Sequence, residues 1–313
     1  MTPAGGPAPA VSTGPEIAAA LDALVAARPP LLVIVDFDGT LAVGSRDPAL
    51  ARIEPLAQRA LRRLGGIATR RPERLHVAVL TGRIVADVAA RVRVGGVEYL
   101  GDHGLERGVL ARGARAERLV PTTDPSYDVH RDAAEVLAAG VAAELGGPGW
   151  LFVERKGPSV AFHVRQADDV PAARAAVVTA IATVERREGL VHGLAHYRGR
   201  SVVDLRPEAA GGKHEAVQRL IERHRPGGIV ALGDEMSDID AFEAVIAART
   251  GSGSGDTVRA GRAVEAGVTV AVHGASRPAP AELLAVADLR IGGAHEVGRL
   301  LSALARRPAL GEG

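Results

Sequence analysis

The sequence predicts an α/β protein, a doubly wound and mostly parallel sheet with a smaller α+β unit inserted near the middle of the chain. Three observations carry that prediction. Short, nearly continuous apolar runs recur, as at Leu31–Val35, without the alternation of a half-exposed strand; this suits strands covered on both faces. Stretches with helical apolar spacing fall between those runs, which is the rhythm of strand–helix–strand units. Between about Arg107 and Pro207 the rhythm changes to paired strands around Gly-containing turns. A length of 313 residues fits one large domain carrying an insertion, or two modest domains.

The elements follow in order. Residues Met1–Pro15 are Gly, Pro, Ala, Ser and Thr with little else, and read as a disordered tail rather than a signal peptide. After the Leu31–Val35 strand, Pro48–Leu64 places Leu50, Ile53, Leu56, Leu61 and Leu64 at helical spacing. His76–Leu80 is a second buried strand, Ile84–Val92 a helix and Val97–Leu100 a third strand. In the insertion we expect a strand near Leu119, a helix over Val129–Leu145 and strands at Trp150–Arg155 and Val160–Arg165. A helix over Val170–Arg187 and strands at Leu194–Arg198 and Ser201–Leu205 complete it. The chain then returns to strands at Gly228–Leu232 and Val268–Val272, a helix through Phe242 and a closing helix at Glu296–Leu304. Thr250–Asp256 reads as a Gly/Ser surface loop.

Composition excludes several functions. A net charge of +1 offers no bulk attraction to nucleic acid or an anionic membrane, and 3% aromatic content argues against base-stacking surfaces. No run approaches the roughly 18 apolar residues of a membrane span. With no Cys there is no disulfide, thiol nucleophile or thiolate metal site. The expectation is a soluble, cytoplasmic protein acting on a small molecule. Of the 38 basic residues only Lys156 and Lys213 are Lys, so an ammonium is expected where a planar guanidinium would not fit, the alternative being that two lysines survive by chance.

Four segments carry candidate chemistry, and each has an ordinary structural reading beside it. Asp36-Phe-Asp38-Gly39-Thr-Leu follows the first buried strand; the carboxylates can turn toward one ion, or simply line a solvated turn. Gly39 would let the backbone approach an anion. Thr81-Gly82-Arg83 ends the second strand, where Thr81 can bind an oxyanion or cap the next helix. Lys213 opens a helix after Gly211-Gly212. Asp234, Glu235, Asp238 and Asp240 crowd the end of a strand, an unfavourable grouping unless a cation is near, or else a solvated helix start.

Taken together, these strings resemble the four motifs of the haloacid dehalogenase-type phosphatases, and from about Leu31 to Leu304 the chain is most similar to the trehalose-6-phosphate phosphatases. Tyr99-Leu-Gly-Asp102-His103-Gly104 resembles a Gly-Asn-His-Gly loop with Asp102 in place of Asn. Val153-Glu154-Arg-Lys156-Gly resembles a Glu-x-Lys sugar grip, and Asp204-Leu-Arg206-Pro207 a Glu-x-Arg-Pro element shortened by one methylene. The resemblance implies a HAD-like catalytic core over 16–106 and 208–313, with an α+β cap domain over 107–207.

It also implies roles. Asp36 is the nucleophile, Asp38 the acid and base, Thr81 the binder of a phosphoryl oxygen, and Lys213 the charge partner of phosphate and nucleophile. Mg2+ is the expected cofactor, held by Asp36, the Asp38 carbonyl and Asp234, because every candidate ligand is a hard oxygen. Asp238 stands one step back, holding waters or Lys213. Gly39, Gly82, Arg83, His103, Glu154, Lys156, His163 and Asp204 are expected to meet the substrate. Lone Glu154 and Lys156 would otherwise be a surface ion pair, His103 and His163 satisfied structural histidines, His196 structural and Trp150 core. The implied reaction is hydrolysis of trehalose 6-phosphate, beside a trehalose-6-phosphate synthase. The departures at Asp102, Asp204, Glu235 and His214 leave open another sugar or pseudo-disaccharide phosphate. A non-catalytic sugar-phosphate sensor is the competing class, and the presence of both Asp36 and Asp38 weighs against it.

Overall fold

The computed structural model describes residues 10–43, 48–190, 193–199, 201–251, 264–275 and 278–311. An eight-stranded sheet forms its larger part. The strands are β1 (Leu31–Val35), β2 (Leu75–Leu80), β3 (Val97–Gly101), β4 (Glu106–Leu110), β5 (Thr122–Thr123), β10 (Gly228–Gly233), β11 (Ala266–Val272) and β12 (Leu289–Ile291), in the order β12-β11-β10-β1-β2-β3-β4-β5. All pairs from β12 to β3 are parallel, and the β3–β4 and β4–β5 pairs are antiparallel.

The apolar run of β1 is explained by its place. Leu31, Val33 and Val35 face one core with α1 (Gly14–Ala26), α2 (Pro55–Arg70), α3 (Val85–Val92) and α9 (Gly293–Leu304). Leu32 and Ile34 face the other core with α6 (Lys213–His224), α7 (Met236–Thr250) and α8 (Ala281–Val286). A strand with two buried faces cannot alternate, since each large aliphatic side chain left in water would forgo about 1.5–3 kcal/mol. A last short helix, α10 (Pro308–Gly311), ends the described chain. Among the described residues, no helix is long and apolar enough to cross a membrane.

The cap is a second sheet of four antiparallel strands, β6 (Phe152–Arg155), β7 (Val160–His163), β8 (Leu194–Arg198) and β9 (Val202–Pro207), in the order β6-β7-β9-β8. Helices α4 (Arg131–Glu144) and α5 (Val170–Glu188) cover one face, where Leu137, Val141, Phe162, Val177, Ile181, Val203 and Leu205 form a third core. Trp150 is half-buried at its margin. The alternate residues Glu154, His163, Asp204 and Arg206 take the opposite face.

Several boundaries differ from expectation. The expected tail over residues 1–15 is helical from Gly14: Thr13 and Glu16 form a capping box, Leu21 and Leu24 anchor the helix, and Ser12 exchanges two hydrogen bonds with Arg290. Residues 1–9 lie outside the described residues. The cap does not begin at 107, because β4 and β5 extend the large sheet; its own helices and strands run from 131 to 207. Near Leu119 there is no strand but a short 3-10 turn over Ala116–Arg118. The helix expected over Pro48–Leu64 is instead a 3-10 turn at Pro48–Leu50 and then α2, started by Pro55 under a Glu54 cap. Most of the Thr250–Asp256 loop lies outside the described residues.

Candidate active site

Three of the four candidate segments sit at the carboxyl ends of adjacent parallel strands. Asp36 follows β1, Thr81 follows β2 and Asp234 follows β10, and β1 lies between the other two. Ligands of open α/β sheets gather at this edge, because the chain leaves the ladder there with its polar groups free to converge. Lys213 enters from the first turn of α6, as expected.

The centre is a buried charge cluster. Lys213 Nζ donates to Asp36 Oδ1 at 2.8 Å and to Asp238 Oδ1 at 2.7 Å. Asp238 Oδ2 accepts the backbone N–H groups of Asp234 and Glu235 at 2.9 and 3.0 Å. Both Asp238 oxygens are therefore occupied, which suits the one-step-back role expected for it. Burial alone would lower Lys213, but the charges of Asp238 and Asp36 outweigh it and keep the ammonium protonated. Burial pushes the Asp36 carboxyl up to about 8 against the pull of Lys213, with Asp238 and Glu235 pushing the same way. Asp36 Oδ2 is buried with no hydrogen-bond partner.

That bare oxygen is the test for a metal. Asp36, Asp234 and Asp238 each bring a carboxylate oxygen within 4.8 Å of the others, and all three are buried. A partnerless carboxylate oxygen in such a site costs free energy that a divalent cation beside it would offset. The donors are all hard oxygens, so the residues fit Mg2+.

Gly39 has a different task from the one expected. Its φ is +89°, and a Cβ there would lie 2.1 Å from Asp234 Oδ2, so the glycine makes room for a candidate metal ligand. Thr40 Oγ donates to Asp234 Oδ1 at 3.3 Å.

Arg83 has a partner that its string did not suggest. The Arg83 guanidinium grips both Asp38 oxygens, at 2.6 and 2.8 Å, and donates to Asp87 at 2.7 Å. Arg91 holds Asp87 in turn and donates to the carbonyls of Ala49 and Ala51. Arg83 was expected to meet the substrate; it is bound to Asp38 instead, as the first of a line of alternating charges. Thr81 is buried, and its hydroxyl accepts the Arg83 N–H at 3.3 Å.

The remaining predicted residues meet where the cap touches the core. Lys156 Nζ donates to the Gly82 carbonyl at 2.9 Å and to Asp102 Oδ1 at 3.2 Å, with Asp204 at 3.6 Å and Glu154 at 3.9 Å. Burial would lower Lys156, but Asp102, Asp204 and Glu154 hold it above its ordinary value. The Ser159 hydroxyl donates to Asp102 Oδ2. Lys156 thus bridges cap and core, where a contact with the sugar alone was expected.

His103 lies 3.6 Å from Asp204, and a Cβ on Gly82 would meet its ring at 2.8 Å. Burial holds His103 well below its usual range, helped by Arg206, Lys213 and Lys156, so the ring is neutral. Burial raises Asp204. Glu154 pairs with His163 at 2.8 Å; burial would raise this carboxyl, but His163 and Lys156 keep it low. Two members were missed in the sequence. Ser159 gave no signal, being one hydroxyl in a turn. Arg206, stacked 3.7 Å over the Tyr197 ring and 3.0 Å from Asp204, was visible in the Arg-Pro string but given no role. His196 lies near Glu185, away from this cluster.

Comparison with known proteins decides the family. The family model described as Trehalose-phosphatase matches residues 34–270. The chain belongs to the trehalose-phosphatase family. It is 37% identical over 224 residues to a trehalose-phosphate phosphatase of Mycobacterium avium, across 68% of this chain and 51% of that protein. It is 34% identical over 237 residues to the Mycobacterium leprae protein of the same name, across 72% of this chain and 49% of that one. The chain thus spans about half the length of these curated relatives. Among solved structures, the C-terminal domain of C. albicans trehalose-6-phosphate phosphatase superposes with a TM-score of 0.68 at 19% identity, covering 92% of this chain and 96% of that domain. The shared fold is the HAD-like core with its α+β cap.

Proposed function

We propose that this trehalose-phosphatase family member hydrolyses trehalose 6-phosphate to trehalose and phosphate, with Mg2+, through an aspartyl-phosphate on Asp36. The observation that carries the reading is the buried Asp36 Oδ2, without a hydrogen-bond partner, beside an ammonium fixed at 2.8 Å on the other oxygen. A carboxylate held in that way is oriented for attack rather than tied into the fold.

Asp36, the Asp38 carbonyl and Asp234 would hold the metal, which supplies positive charge to offset repulsion between a phosphate dianion and the nucleophile. Lys213 adds charge on the other side of Asp36, and Asp238 fixes where that charge sits. The Thr81 hydroxyl, which accepts the Arg83 N–H, would donate to a phosphoryl oxygen. Asp38, gripped by Arg83 through both oxygens, would give a proton to the leaving sugar oxygen and then take one from the water that cleaves the aspartyl-phosphate. A synthase that makes the sugar phosphate is the partner this reading implies.

Asp102 and Asp204 favour a second reading, another disaccharide phosphate, since Asp102 in place of Asn adds a charge to the cap contact and Asp204 in place of Glu shortens its reach. The test measures phosphate release over about a dozen sugar phosphates, with Mg2+, with EDTA and after Mg2+ is restored. Trehalose 6-phosphate should lead, EDTA should abolish turnover and Mg2+ should recover it. Asp36→Asn should lower kcat by at least about a hundredfold with unchanged circular dichroism. A folded Asn variant keeping more than about a tenth of the rate would sink the covalent route.

A further inference from the structure

The open face of the cap sheet carries an aromatic side chain that none of the roles above uses. Phe152 is 62% exposed, although it lies in a strand whose neighbours Val153 and Leu151 pack into the cap core. Strand alternation puts Phe152 on the same face as Glu154. The register sets out that face in rows. Phe152, His163 and Val202 are paired across β6, β7 and β9, and Glu154, Ala161, Asp204 and Tyr197 form the next row. Lys156 and Arg206 follow on the side where the cap meets the core, and Lys156 reaches the Gly82 carbonyl beside Thr81.

Contacts link these rows. The Phe152 and His163 rings lie 5.6 Å apart and are tilted by 38°. His163 is hydrogen-bonded to Glu154, and Glu154 lies 3.9 Å from Lys156. A ramp therefore runs outward from the catalytic loop, charged near the core and aromatic at its outer end. Successive rows are about 6.6 Å apart.

We infer that Phe152 forms an outer subsite that stacks against the apolar C–H face of the distal ring of a disaccharide phosphate, while Glu154 and His163 meet that ring's hydroxyls. The inference rests on the function proposed above and names the wall that tells two rings from one. A pyranose has an apolar face and a polar rim, and an aromatic ring beside a carboxylate–imidazole pair complements both. Ala161 between Glu154 and Asp204 keeps the middle row low, so a ring can lie along the sheet rather than stand off it.

The experiment compares KM and kcat for wild type, Phe152→Ala and Phe152→Trp. The substrates are trehalose 6-phosphate, glucose 6-phosphate and p-nitrophenyl phosphate, with the other disaccharide phosphates of the panel. Phe152→Ala should raise KM for the two-ring substrate about tenfold with little change in kcat, the pattern of binding lost equally from ground and transition states. Phe152→Trp should restore KM. KM for glucose 6-phosphate and turnover of p-nitrophenyl phosphate should not move in either variant, the latter also showing that the variants are folded. An unchanged KM for the two-ring substrate, or an equal rise for the one-ring substrate, overturns the subsite. If another disaccharide phosphate proves to be the substrate, the same comparison is made on it, and the function fails without the subsite. A wild type active on p-nitrophenyl phosphate but on no disaccharide phosphate overturns both.

Discussion

Two lysines in a chain with 36 arginines are both buried against carboxylates, and this part of the site was legible because residue choice reports shape as well as charge. Lys213 fits between Asp36 and Asp238 as a compact donor, and a planar fork there would displace Asp36 from the position that the proposed attack needs. Lys213→Arg should lower kcat on trehalose 6-phosphate and on p-nitrophenyl phosphate alike, on the order of a hundredfold. Lys156 does more than the family resemblance implied. Its Glu-x-Lys string resembles a sugar grip, whereas its bonds to Gly82 and Asp102 tie it to the core as well. Lys156→Arg should therefore reduce kcat/KM on both substrates, and more on the disaccharide phosphate. A loss confined to the disaccharide phosphate would return Lys156 to the sugar alone. The Arg83 grip on Asp38 was not legible, because a pair 45 positions apart has no local pattern.

Elements buried on two faces were the readable ones. The runs of β1 and β10 announce themselves, and the parallel core follows from them. β12, with three residues, and α8, with six, are too short to show a period, and α1 hid behind a tail of Gly and Pro. β4 was missed because Glu106, Arg107 and Gly108 break its apolar pattern. The reason for Arg107 lies across the sheet: Glu98 on β3 is held by Arg107 and by Arg223 and His224 of α6, and His76 of β2 stacks on His224 at 3.9 Å. This packing makes a measurable claim about pH. Burial, and then the neighbouring His224, lower His76 to about 4 despite the opposing pull of Glu98. The unfolded chain takes up its proton near 6.5 and the folded protein near 4, so the unfolded state is favoured as pH falls through that window. The melting temperature should drop between pH 6.5 and 4, and His76→Gln should flatten that drop. A variant with the wild-type slope would show that other groups set the acid limit.

At the scale of the whole molecule, the two-part architecture was readable from the change of rhythm in the middle of the chain, but its seam was not. β4 and β5 are antiparallel hairpin strands, and a hairpin reads the same whether it extends the large sheet or opens the insertion. Only the pairing partner distinguishes the two, and that is a long-range fact. One cluster at the junction links the two parts. Asp102 of the core accepts from Lys156 and Ser159 of the cap, within a loop where Asp102 and His103 both take left-handed backbone angles, φ +47° and +58°. Asp tolerates that conformation better than most residues, and its carboxylate is fully buried with Lys156 and Ser159 of the cap against it. Removing one partner of a buried ion pair costs roughly 3–5 kcal/mol, and in Asp102→Ala that penalty falls on the closed form alone, because an open cap returns Lys156 to water. Asp204 and Glu154 still face Lys156 and would soften the loss without cancelling it. Asp102→Ala should therefore have a larger radius of gyration by small-angle scattering than the wild type, and Asp102→Asn, which keeps an acceptor for Ser159, an intermediate one. Turnover of trehalose 6-phosphate should fall in the same order, since an open cap leaves the sugar in water and the site incomplete. Identical scattering from all three proteins would show that the cap is held by its covalent connections and not by this cluster, and the activity loss would then belong to the sugar contact instead.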